Sequence, residues 1–184
     1  MEADHTFASA HHGVAEPRGE IVLATHRTAA SGLPEKVDIL HQHGDHYHGE
    51  GTISLDCPDL HGAGSNEEYS VFGCSDGILI VHQDGETFTA QHVDNATLGL
   101  AAGERVGSFD SQHELPQFVA YAGDRILIIH PDHGDAEELD WTEGAAVSLD
   151  SHALDSHGEH LILLDDSGDL RIVATADWSE HAHV

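Results

Sequence analysis

Basic residues are nearly missing from this sequence. Six Lys+Arg, among them the lone lysine Lys36, stand against 34 Asp+Glu, which leaves a formal net charge of −28 on 184 residues. A surface that negative repels polyanions, so nucleic acid and anionic membrane are poor partners. Long apolar runs are missing as well. None approaches the roughly 20 residues of a membrane span, and the opening MEADHTFASAHHGVAEP lacks the basic and apolar regions of a signal peptide. An exported protein would therefore be represented here without its export signal, or as a fragment. Cysteine is scarce: Cys57 and Cys74 bracket CPDLHGAGSNEEYSVFGC, and two thiols so placed make no zinc finger. They either close a disulfide, worth about 3 kcal/mol by chain entropy and a sign of an oxidising compartment, or remain two buried thiols. No long window carries a capped helical period. The GxxxxGK[ST], G-x-S-x-G and HExxH motifs are absent too.

What is abundant is acid and histidine. Carboxylates in such excess resemble the halophilic-like composition of salt-adapted proteins, whose self-repulsion salt screens; they also suit a surface that handles cations. The 19 histidines are spread along the whole chain, so no affinity tag accounts for them. Neutral imidazole binds zinc, copper and nickel, and this enrichment points to metal handling.

Apolar residues fall in short β-rich runs: EIVLAT at 20–25, KVDIL at 36–40, GTISLD at 51–56, YSVFGC at 69–74, GILIVHQ at 77–83 and ETFTAQHV at 86–93. They continue with QFVAYAG at 117–123, RILIIHP at 125–131, AAVSLD at 145–150, HLILLDD at 160–166 and DLRIVATA at 169–176. Turn signals such as Asp84-Gly85 and Gly123-Asp124 separate them. The chain is therefore all-β. Four units, beginning HHGVAEPRGE, LHGAGSNEEY, HELPQFVAYAG and SHGEHLILL, each run from a histidine-bearing loop into a strand, a turn and a strand. Their spacing of roughly 40 to 50 residues is that of a β-propeller blade, against a β-sandwich as the alternative. The expectation is one propeller-like domain over 1–184 of about four blades. Residues 1–10 and 177–184 are expected to be flexible, and 41–50 a His-rich hairpin loop. A partial propeller of this size would leave an open edge that a second copy, as a homodimer, could cover.

Loops that lead into successive blades converge on one propeller face, so the loop histidines His11, His12, His61, His113 and His152 are expected to meet. Three or four imidazoles there would make a tetrahedral zinc site.

HHGVAEP, then CPDLHG and FGCSDGILIV, together resemble the AztD family of periplasmic zinc metallochaperones, over about residues 10 to 83 and more weakly to about 174. The resemblance implies a β-propeller that hands zinc to the solute-binding protein of an ABC importer, and an extracytoplasmic location. It also implies zinc ligation by His12 and His61 and a Cys57–Cys74 disulfide. Two departures stand out. Family members are longer and carry an export signal, and Ala63 stands where the family often has glutamate after LHG.

The most conspicuous stretch is HQHGDHYHGE at 41–50. Its spacing His41-x-His43-x-Asp45-His46 is similar to the signature of metallo-β-lactamase-type hydrolases, but a helix should follow, and glycine, β-branched and proline residues come instead. The preferred reading is a secondary collecting loop in which His41, His43, Asp45, His46 and His48 capture zinc and exchange it quickly. HPDHGD at 130–135 and the terminal SEHAHV suit the same task. The protein is thus expected to be a non-enzymatic zinc carrier. A zinc hydrolase and a metal-free scaffold are the alternatives.

Overall fold

In a computed structural model that describes residues 3–30 and 32–184, the chain forms four four-stranded sheets, and no helix is present among the described residues. Blade 1 consists of β1 (Ala15–Arg18), β2 (Ile21–His26), β3 (Lys36–His43) and β4 (His46–Thr52). Blade 2 consists of β5 (Ala63–Ser65), β6 (Tyr69–Gly73), β7 (Gly77–Asp84) and β8 (Thr87–Asp94). Blade 3 consists of β9 (Ser108–Asp110), β10 (Phe118–Ala122), β11 (Arg125–His130) and β12 (Asp135–Leu139). Blade 4 consists of β13 (Leu149–Leu154), β14 (His160–Asp165), β15 (Leu170–Ala174) and β16 (Ser179–His183). In every blade the strands follow in chain order with antiparallel neighbours, the up-and-down plan of a propeller blade.

Each blade's first strand lies innermost. Ser65 of β5 donates its hydroxyl to Glu16 of β1 at 2.7 Å, and its N–H to Ser111 Oγ, just past β9, at 3.2 Å. His152 of β13 donates Nδ1–H to Asp110 of β9 at 2.8 Å. Three of these first strands, β1, β5 and β9, are short and polar, and none carries the apolar run by which a strand is read from sequence.

Three buried seams hold the blades together, and strand alternation explains their composition. Phe72, Leu79 and Val81 point into the seam with blade 1, while Val71, Ile78 and Ile80 point into the seam with blade 3. In blade 3, Phe118, Ala120, Leu127 and Ile129 face blade 2, and Val119, Tyr121, Ile126 and Ile128 face blade 4. Blades 2 and 3 are buried on both faces, so β6, β7, β10 and β11 read as unbroken apolar runs. The end blades have one buried face: β14 and β15 alternate buried and half-buried positions. Among the described residues none of these three clusters joins blade 4 to blade 1, so the four sheets follow one another as a fan.

The Cys57–Cys74 disulfide is closed and wholly buried in the first seam. Of the segments expected to be flexible, residues 1 and 2 lie outside the described residues, and the rest includes paired backbone. Ser179–His183 pairs with β15 as an outer strand, and Asp4 exchanges backbone hydrogen bonds with blade 1, donating to Asp45 O at 3.3 Å and accepting from Tyr47 N–H at 3.0 Å. Open outer-strand backbone supplies the partners in each case. No helix among the described residues is long and apolar enough to cross a membrane.

Candidate metal centre

Strands β3 and β4 form a hairpin whose two-residue turn is Gly44-Asp45, with Gly44 at φ 65°, a conformation that favours glycine. The register pairs His41 with His48 and His43 with His46. Residues directly opposite share a face, so all four imidazoles stand on one side of the hairpin, with Gln42 and Tyr47 on the other. Ring centres lie 4.1 Å apart for His43 and His48, 4.9 Å for His41 and His43, and 6.5 Å for His43 and His46. Two imidazoles sharing one tetrahedral zinc have ring centres about 5 Å apart, which the closer pairs approach.

Glu50 belongs to this group, although spacing alone did not single it out. Leu40 pairs with Gly49 and Ile39 with Gly51, which leaves Glu50 as the extra residue of a β-bulge. Its carboxylate accepts from His48 Nε2 at 2.8 Å and lies 3.9 Å from His41 Nδ1. One ligand atom each from His41, His43 and Glu50 falls within 4.8 Å of the others. The stretch is thus a fully paired hairpin, in which alternation and backbone pairing decide the face each side chain takes. Asp45 sits in the turn with Oδ1 3.3 Å from His46 Nδ1. Strand β4 follows the motif where a metallo-β-lactamase arrangement needs a helix, and nothing supports the hydrolase alternative.

The second locus lies on the loops that lead into β1 and β5. His12 and His61 are exposed and stacked, with ring centres 5.1 Å apart at 22°. His61 donates Nδ1–H to Gly107 O at 3.0 Å, so its Nε2 keeps a free lone pair for a metal. The glycine of each His-Gly pair allows close packing. A Cβ on Gly62, at φ 77°, would lie 2.5 Å from Gly107 O, and one on Gly13 would lie 2.5 Å from Thr25 Oγ1.

Of the five loop histidines expected to converge, His12 and His61 are the pair that meets. The ring nitrogens of His11 are taken by carbonyl oxygens, Nδ1 facing Ser9 O at 3.0 Å and Nε2 facing Thr25 O at 2.8 Å. His113 lies between β9 and β10, on the opposite face of the fan, in a cleft with His130 and His133. His152 is on the inner strand β13, stacked on Tyr121 with ring centres 3.6 Å apart. Asp110 accepts from both His152 and Tyr121, the latter at 2.7 Å. Burial pushes the Asp110 carboxyl up, but these hydrogen bonds outweigh it and hold it below its ordinary range. Burial, together with Asp110, pushes the Tyr121 phenol up.

No family model and no curated protein matches the sequence. Solved structures do. The fan is similar to AztD. One AztD structure from Citrobacter koseri, the apo form, superposes with a TM-score of 0.72 at 18% identity, over 95% of this chain and 46% of that one. A second structure of Citrobacter koseri AztD gives 0.74 at 16% identity, over 96% and 46%. The β-propeller domain of Cps50 (Swd1) from Myceliophteria thermophila gives 0.63 at 13% identity, over 100% of this chain and 57% of that one. The chain thus spans less than half the length of the AztD structures it matches. At these identities the likeness establishes the propeller fold, and the His-Gly loops of blades 1 and 2 are the motifs by which the sequence resembled AztD.

Proposed function

We propose that this chain is a zinc carrier: it binds zinc as cargo on the His41–Glu50 hairpin and passes it to the solute-binding protein of an ABC zinc importer. The observation that carries this reading is the set of four imidazoles and one carboxylate on a single hairpin face. Their half-exposed to exposed positions suit capture and release, and a built strand pair spares the ordering cost a loose loop would meet. Acidification releases the metal, because imidazole ligands must be deprotonated to bind. His12 and His61 form the second tier. Two imidazoles leave a tetrahedral zinc with two open positions, which a receiving protein's ligands can fill during transfer. The likeness to AztD supports this assignment, and the closed disulfide suits an extracytoplasmic place of work.

The test uses the untagged protein. His43→Ala/His48→Ala is expected to weaken zinc binding at least about tenfold, while His12→Ala/His61→Ala is expected to keep capture but slow transfer to the importer's binding protein. Transfer no faster than free dissociation of zinc would sink the carrier reading.

A further inference from the structure

Blade 4 holds a cluster that the zinc-carrier reading does not use. Asp155 directly follows β13, and residues 155–159 form the loop that returns the chain to His160 at the start of β14. Asp155 Oδ2 accepts from His160 Nδ1 at 3.0 Å. One ligand atom each from Asp155, Glu159 and His160 lies within 4.8 Å of the other two. A fourth group comes from the outer strand: the His181 ring is 5.2 Å from the His160 ring, at 57°. That separation is again about what two imidazoles on one tetrahedral zinc require.

The loop is held from several sides. Asp155 Oδ1 accepts the backbone N–H groups of His157 at 3.0 Å and Glu159 at 2.9 Å, which aims Oδ2 at His160. Thr175 donates its N–H to Glu159 O at 3.0 Å and its hydroxyl to Gly158 O at 2.6 Å, and Gln112 donates to Ser156 O at 2.9 Å. Such anchoring lowers the ordering cost of binding. A 3.0 Å nitrogen–oxygen contact is also close to the edge of a zinc tetrahedron, about 3.3 Å.

We propose that Asp155, Glu159, His160 and His181 form a further binding site, separate from the hairpin and from His12 and His61, for a borderline divalent cation such as zinc or cobalt(II). The cation takes the place of the hydrogen between His160 Nδ1 and Asp155 Oδ2, with the neutral imidazole adopting the tautomer that carries its hydrogen on Nε2. His181 and Glu159 complete an N2O2 set by small side-chain movements at the surface. Two imidazoles and two carboxylates favour zinc and cobalt over calcium or magnesium, which take oxygen sets. The site lies three blades away from the hairpin, so the two are separable by mutation.

The experiment is a titration of the metal-free, full-length chain with zinc chloride, repeated with cobalt(II) chloride read by visible absorption. His160→Ala/His181→Ala is expected to lose one metal equivalent and to leave the hairpin's equivalent in place. His43→Ala/His48→Ala is expected to do the reverse, so failure here and failure of the carrier reading give different patterns. Circular dichroism confirms that each variant is folded. Zinc-soaked crystals of the unmutated chain supply a measurement independent of mutation, with an anomalous peak expected between Asp155 and His160. Full wild-type stoichiometry in His160→Ala/His181→Ala, or no anomalous peak there, overturns the proposal.

Discussion

Glu16 and Asp110 show how one inner wall treats two carboxyls in opposite ways. Burial pushes the Glu16 carboxyl up, and the Ser65 hydrogen bond and Arg18 only partly oppose it. A raised carboxyl costs stability when ionised, fully above its folded value and not at all below its unfolded one. Glu16→Gln, which can still accept from Ser65, is therefore expected to be more stable than the parent at pH 7, with the gap closing as pH falls through the raised folded value and gone below the ordinary carboxylate value. Asp110 has the reverse sign: its stabilising contribution is present above the unfolded value and is lost as pH falls through the lower folded one. Asp110→Asn is expected to destabilise at pH 7 and to converge with the parent in acid. Thermal unfolding across pH checks both, and parallel curves would show that neither carboxyl is perturbed. The sequence revealed nothing of this pair, because Asp110 and His152 meet only when two inner strands from different blades lie side by side.

The hairpin and the loops that lead into the blades were legible to different degrees. The hairpin position and His-x-His alternation of HQHGDHYHGE were visible in sequence, whereas the cross-strand register about the Gly44-Asp45 turn and the place of Glu50 on a bulge came only with the strand pairing. His12 and His61 were visible through their His-Gly repeat. His113 was misjudged because β9 is only three residues long and its polar run hides where the blade begins, so a loop leaving β9 passed for one leading into it. Gly62 tests the local packing. Gly62→Ala places a Cβ 2.5 Å from Gly107 O at a left-handed φ, and is expected to cost about 1–3 kcal/mol. It should also pull His61 away from Gly107 O and weaken any metal shared with His12. Unfolding midpoints and zinc titration measure the two effects, and an unchanged midpoint would mean that the loops of blades 2 and 3 are not pressed together.

For the whole molecule, charge and repeat are the governing features. A net charge of −28 on one fan is self-repelling, and the repulsion is screened over about 10 Å at 0.1 M salt and about 3 Å at 1 M. The melting temperature is therefore expected to climb with sodium chloride over that range, and a flat profile would show that the acidic surface carries no net destabilisation. The blade count was readable from recurring strand pairs, and four blades, few for a closed ring, already pointed to an open edge; which faces remain without a partner was not readable. That openness has a consequence for how the fan comes apart. Its three seams form a linear chain of nearest-neighbour contacts, with blades 2 and 3 each held by two seams and blades 1 and 4 by one. A linear array of this kind unzips from its ends, as stacked repeats do. The disulfide clamps the seam between blades 1 and 2, so among the described residues the seam between blades 3 and 4 is held by packing alone. A cation gripped in blade 4 by His160 on β14 and His181 on β16 would act as a clasp on the outermost leaf, tying metal occupancy to the persistence of the fold.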